Sequence, residues 1–133
     1  MDTEYVVDAS ALAKLFLDED GAPAFRDWWY ATMASGAAMM APSLVRFEVG
    51  NLIRRNLHHL DAAGRRRCWR ETLAGVQFDD SALAGSFGFP QLTFYDAAYL
   101  SLAAARKARL LTFDSRMAKA AAAQNLVTER PGA

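Results

Sequence analysis

The sequence predicts an α/β fold built on a parallel sheet, and three observations carry that prediction. Short apolar runs such as Tyr5-Val6-Val7 and Leu110-Leu111-Thr112-Phe113 show no polar alternation, as expected of strands buried on both faces. Longer stretches with helical spacing separate them. The two therefore alternate along the chain, the order that makes a parallel sheet with covering helices.

Taken in order, residues 4–7 read as the first strand and 9–17 as a short helix ended by Asp18-Glu19-Asp20-Gly21. Pro23 suits the first turn of a second helix, and Ser35-Gly36 stops it. Its Phe25, Trp28, Trp29 and Met33 share one stripe, which serves either as core or as a seam for a partner, where aromatics and methionine are enriched. Residues 37–41 form a short strand leading to Pro42. Ser43 is the expected N-cap of a helix over 44–59, and Asp61 of another over 62–75. A short strand near 76–78 and a small helix over 81–88 follow. The alanine- and leucine-rich stretch 94–107 is a strong helix, 109–113 a strand, 115–123 a helix and 126–128 a last strand.

The 133 residues are read as a single domain, 1–133, with 53% hydrophobic content. Fifteen basic residues balance 15 acidic ones, so the global basic footprint of many nucleic-acid binders is missing and any RNA contact must be local. One cysteine, Cys68, allows no internal disulfide, which fits a reducing cytoplasm. The acidic start Met1-Asp2-Thr3-Glu4 does not read as a signal peptide, and no apolar run reaches the ~18 residues of a membrane span.

Four acids stand out: Asp8, Glu48, Asp96 and Asp114. Each of Asp8 and Asp114 follows an apolar strand and precedes a helix, so each can be no more than an N-cap. Thr93-x-x-Asp96 has the form of a capping box. Glu48 resists that reading. Its helical neighbours Leu44, Val45, Asn51 and Leu52 include no cation, and an unpaired charge on an apolar face is costly. Ligands of open parallel sheets bind beyond the carboxyl ends of the strands, where Asp8 and Asp114 fall. If their strands are neighbours the two carboxylates converge, and a hard cation such as Mg²⁺ or Mn²⁺ would neutralise them. Zinc lacks ligands, because His58 and His59 are adjacent and Cys68 is alone.

These stretches resemble PIN-domain ribonucleases, and among them the VapC-type toxins of bacterial toxin–antitoxin pairs. The carriers are Val6-Val7-Asp8-Ala9-Ser10, Pro42-Ser43-Leu44-Val45-Arg46-Phe47-Glu48, Tyr95-Asp96-Ala97-Ala98-Tyr99 and Leu111-Thr112-Phe113-Asp114-Ser115-Arg116. The resemblance implies a three-layer α/β/α fold with a central parallel sheet of four to five short strands. It makes Asp8, Glu48, Asp96 and Asp114 the acidic quartet, with Ser10 and Thr112 supporting it. It implies Mg²⁺ or Mn²⁺, an RNA substrate such as tRNA or rRNA, a homodimer, a cognate VapB-type antitoxin and a cytoplasmic protein without membrane attachment.

The expected chemistry is attack of a metal-activated water on a phosphodiester. Glu48 either ligates the metal or orients the water. Arg65, Arg66 and Arg67, with Arg54, Arg55 and Arg70, either contact RNA backbone or form a solvated helix face. Two other readings keep the PIN-like fold: a module that binds RNA or a partner without cutting, and a metal-dependent DNA nuclease. An aspartyl phosphatase of the haloacid-dehalogenase type needs a second Asp where Ser10 stands, and no phosphate-binding glycine loop occurs.

Overall fold

Strand β1 (Glu4–Val7) is the centre of the molecule because Val6 and Val7 have no polar atom to offer water on either face. In the computed structural model, which describes residues 3–132, β1 pairs in parallel with β2 (Ala38–Ala41) on one side and β4 (Arg109–Leu111) on the other. Strands β3 (Val76–Phe78) and β5 (Thr128–Glu129) complete a five-stranded sheet in the order β3-β2-β1-β4-β5, parallel throughout. The fold is three-layer α/β/α, as the resemblance implied, at the upper end of its strand count.

Six α-helices join these strands: α1 (Ala9–Ala13), α2 (Ala22–Ala34), α3 (Val45–Asn56), α4 (Ala62–Leu73), α5 (Phe94–Arg106) and α6 (Ser115–Ala123). A 3₁₀ segment, Leu83–Gly88, packs on α5. Val6, Val7, Leu12, Leu100, Leu110 and Leu111 are fully buried in one core, each contributing about 1.5–3 kcal/mol of transfer free energy. Phe25 and Trp29 join it, with Trp28 and Met33 packed against it, so the aromatic stripe of α2 is core.

Several element boundaries differ from the sequence reading. Helix α1 stops at Ala13, and residues 14–17 continue as turns. Gly21 has φ +79°, and a Cβ there would meet the Gly132 carbonyl at 2.7 Å, so this turn admits only glycine without a shift. Ser43 does not cap α3: the N-cap position is Leu44, and the Ser43 hydroxyl instead donates to Asp80 at 2.5 Å. That helix ends at Asn56, leaving His58 and His59 exposed in the following turn. The last strand is Thr128–Glu129, starting two residues and ending one residue later than predicted, because its register is set by pairing with Leu110 and Leu111. No described helix is long and apolar enough to cross a membrane.

Candidate active site

Parallel pairing puts the carboxyl ends of all five strands on one edge, and the register Val7↔Leu111 brings the residues after β1 and β4 side by side. The strand order reverses direction between β1 and β4, the place where open α/β sheets bind ligands. Asp8 is the N-cap of α1 and Asp114 the N-cap of α6, while Glu48 and Asp96 lie in the first turns of α3 and α5. All four acids therefore sit at helix N-termini, where backbone N–H groups favour negative charge.

Asp8 is 3% exposed and its carboxylate is held on all sides. Ser10 Oγ donates to Oδ1 at 2.6 Å, the Ala11 N–H donates to the same oxygen at 3.0 Å, and Thr112 Oγ1 donates to Oδ2. Both hydroxyls are themselves fixed from the β4 side. The Phe113 N–H donates to Ser10 Oγ at 2.8 Å and the Asp114 N–H to Thr112 Oγ1 at 3.0 Å. Ser10 and Thr112 thus tie the loop after β1 to the loop after β4. Burial nonetheless pushes the Asp8 carboxyl above its usual range, outweighing these three hydrogen bonds, and the charge of Asp114 adds to the rise.

Glu48 is half-buried, and burial raises its pKa too, with Asp8 and Asp96 as further like charges. Its partner is Tyr99, whose buried hydroxyl donates to Oε1. Burial and the nearby Glu48 charge push the phenol far above its ordinary value, so it stays a donor at all working pH values. The sequence reading missed this residue. Tyr99 lies three positions after Asp96 on α5, one helical turn toward the core, and that spacing is the signal that could have found it.

Asp96 and Asp114 are less enclosed. The Thr93 hydroxyl accepts from the Asp96 N–H at 3.1 Å, and no reciprocal bond from the Asp96 carboxylate is formed, so that carboxylate is left for the cleft. Arg116, two residues into α6, reaches back between them, with Nη2 at 3.7 Å from Asp96 Oδ2 and 3.9 Å from Asp114 Oδ2. A cation in the first turn of an acid-capped helix works against the helix dipole, so its gain must come from these carboxylates. The charge of Asp114 acts on Asp8 and those of Asp8 and Asp96 act on Glu48, and Arg116 stands between Asp96 and Asp114, so that the four acids and the guanidinium make up a ring.

The expected convergence of the carboxylates needs correction in one respect. Among the described residues, no three His, Cys, Asp or Glu side chains are drawn together tightly enough to enclose an ion. Like charges repel, which favours a splayed ring with a guanidinium as internal counter-ion. The donor set still fits a hard divalent cation, carboxylate oxygens only, and two of the four acids, Glu48 and Asp96, line a cleft of about 670 Å³ together with Ser43, Phe47, Asn51 and Tyr95. Phe47 and Tyr95, each the residue before an acid, are 71% and 67% exposed along it.

The predicted arginine cluster divides. Arg65 and Arg66 line a groove between α3 and α4, whereas Arg67 lines a different one with Leu15, Phe16, Cys68 and Glu71. Successive helical residues are about 100° apart, so three in a row do not share a face. Arg55 lies nearer the acids, lining a cleft with Ser10, Glu48 and Asn51.

Comparison with known proteins agrees with this fold. The PIN domain model matches residues 5–123. Among solved structures, PAE2754 from Pyrobaculum aerophilum aligns with a TM-score of 0.69 at 27% identity, covering 96% of this chain and 92% of that one. VapBC2 from Rickettsia felis, bound to a DNA fragment from its promoter, gives 0.72 at 12% identity over 96% and 98%. Mycobacterium tuberculosis VapC20, a sarcin–ricin loop cleaving toxin, gives 0.68 at 17% over 96% and 99%. No curated protein sequence matches significantly. With the family model spanning nearly the whole chain, and its acids gathered at the carboxyl edge of the sheet, the chain belongs to the PIN domain family.

Proposed function

We propose that this protein is a Mg²⁺- or Mn²⁺-dependent endoribonuclease and the toxin of a toxin–antitoxin pair. The single observation that carries the reading is the ring of Asp8, Glu48, Asp96 and Asp114 at the carboxyl edge of the sheet, with Asp8 and Asp114 at its switch point. VapC20 and VapBC2 share the fold, one a toxin that cleaves an RNA loop and the other bound to promoter DNA, which supports the pairing with an antitoxin. A cytoplasmic homodimer, a VapB-type antitoxin and a tRNA or rRNA target complete the proposal. Arg65, Arg66 and Arg55 are its RNA-backbone contacts.

When bound, the divalent ion would lower the pKa of a water and neutralise charge on the phosphoryl oxygens. Asp8, Asp96 and Asp114 would hold it, directly or through water. Ser10 and Thr112 keep Asp8 in one orientation, and the Tyr99 hydroxyl fixes Glu48 facing the cleft, as a further ligand or as acceptor for the attacking water. Arg116, 78% exposed in its side chain, is free to turn from the carboxylates toward a substrate phosphate.

The test is cleavage of total cellular RNA by the purified protein, with Mg²⁺ or Mn²⁺ in one arm and EDTA in the other. Discrete metal-dependent fragments that disappear with Asp8→Asn are the expected result. Absence of fragments with either metal sinks the catalytic reading and favours a PIN-like binding module; cleavage confined to DNA favours a DNA nuclease.

A further inference from the structure

Zero net charge conceals a strongly uneven distribution. Between residues 45 and 75 the chain carries seven arginines, Arg46, Arg54, Arg55, Arg65, Arg66, Arg67 and Arg70, against Glu48, Asp61 and Glu71. Among the described residues none of the seven lies within 4.0 Å of a carboxylate oxygen. Four of them, Arg46, Arg54, Arg65 and Arg66, rim a groove of about 340 Å³ between α3 and α4. Arg46 is tied to the Ser43 carbonyl and Arg65 to the Leu57 carbonyl, whereas Arg54 and Arg66 have no hydrogen-bond partner among the described residues.

The floor of the groove is apolar. Gly50, Ile53 and Trp69 form it, and the Trp69 indole is fixed by its N–H donating to the Arg46 carbonyl at 2.8 Å. Gly50 lies against the indole: a Cβ there would make an ordinary van der Waals contact with it, 3.6 Å from the ring nitrogen. Phe47 and Asn51 line both this groove and the acidic cleft, so the two are continuous across one side chain's width. An indole held by its own N–H, a rim of guanidinium groups of which Arg54 and Arg66 are unpartnered among the described residues, and an acidic neighbour form an arrangement that suits a base on the floor and phosphates on the rim. The acid ring would repel a phosphate unless a cation were present, whereas the rim of this groove is cationic by itself.

We infer that the α3–α4 groove is a nucleotide-binding subsite, holding a single-stranded RNA residue flanking the scissile bond, with its base over Trp69 and its phosphates between Arg54 and Arg66. The inference rests on the ribonuclease reading for its substrate, but the subsite works without metal, and that separates the two experimentally. Its occupant is RNA rather than an acidic protein segment, because the apolar, indole-bearing floor shares the wall of Phe47 and Asn51 with the cleft where the proposed hydrolysis takes place.

The test is binding of a ten-nucleotide single-stranded RNA of mixed sequence to the wild-type protein in EDTA, read by tryptophan fluorescence across a salt series. Quenching is expected, and Trp69→Phe should abolish it while Trp28 and Trp29, packed against or within the core, stay silent. Arg54→Ala/Arg66→Ala should lower the slope of log affinity against log salt by about 1.4, at roughly 0.7 per lost single-strand phosphate contact. Both arginines are exposed and without hydrogen-bond or ion-pair partners among the described residues, so the fold should be unaffected. RNA that binds without moving the Trp69 signal, or with an unchanged salt slope in the double variant, overturns the subsite. So does capture of an acidic peptide, with Trp69 quenching, in place of RNA. Metal-dependent cleavage without metal-free Trp69 quenching would sink the subsite alone, and quenching without cleavage would sink the ribonuclease reading alone.

Discussion

The two halves of the acid ring are built in opposite ways. Around Asp8, three donors hold one carboxylate, two of them hydroxyls fixed by backbone N–H groups from the far strand, and almost no surface is exposed. Around Asp96 and Asp114, the outward oxygens meet only the long, exposed side chain of Arg116. The first half is rigid and carries its charge at a cost in stability. The second is adjustable, because an exposed ion pair contributes at most about 1 kcal/mol and is readily exchanged. A site that must hold one fixed ligand and admit both a cation and a substrate needs one half of each kind.

The sharpest way to break the rigid half is Asp8→Asn. Hydrolysis should fall by about a hundred- to a thousandfold, the scale set by losing transition-state electrostatics. The same variant should raise the thermal midpoint of the metal-free protein near neutral pH, since it removes a charge that burial disfavours. The sign follows from the raised folded pKa of Asp8 and Glu48. Their contribution to stability is fully present below the unfolded carboxyl values and is lost as pH rises through the folded ones. Metal-free wild type should therefore melt at higher temperature in mild acid than at pH 8, and Asp8→Asn should flatten that dependence. A wild-type midpoint that climbs steadily with pH over this range would contradict the assignment.

Thr112→Val is the next largest effect. It keeps the buried shape but strips the donor from Asp8 and the acceptor from the Asp114 N–H, at a cost of about 1–3 kcal/mol. Chemical denaturation would read that loss, and activity should drop with it because both acids lose their orientation. Tyr99→Phe removes only the hydroxyl that holds Glu48. A fall in kcat of about 10- to 100-fold with little change in KM is expected, as for a group that positions another; a change in KM alone would assign Tyr99 to substrate binding. Arg116→Ala probes the adjustable half. Without the competing guanidinium, Mn²⁺ should bind about two- to tenfold tighter by calorimetry in the absence of RNA, the factor expected for exposed ion pairs. Weaker Mn²⁺ binding would show that Arg116 organises the ligands rather than competing for them.

Much of this was legible in the chain itself. Apolar runs without alternation mark buried strands, and an acid directly after such a run falls at the carboxyl edge of a parallel sheet whatever the details of packing. Asp8 and Asp114 are of that kind, and Glu48 betrays itself as a carboxylate on an apolar helix face without a helical partner. These inferences succeed because they depend on local periodicity and on the cost of burying a charge, both written in adjacent residues. The capping of α3 was misread for the complementary reason. Ser43 has the chemistry of an N-cap, but Asp80, 37 residues away, takes its hydroxyl.

What only the tertiary structure decided concerns partners distant in sequence. Ser10 and Thr112 are 102 residues apart yet serve one carboxylate, and Tyr99 reaches Glu48 across 51 positions. Arg116 turned out to be the counter-ion of the ring, and the run Arg65-Arg66-Arg67 was parted between two grooves. Sequence determines which groups carry charge and which faces must be buried. Which charges then meet depends on strand order and on the rotation of each helix about its axis, and both are set by close packing of the whole core rather than by any local stretch.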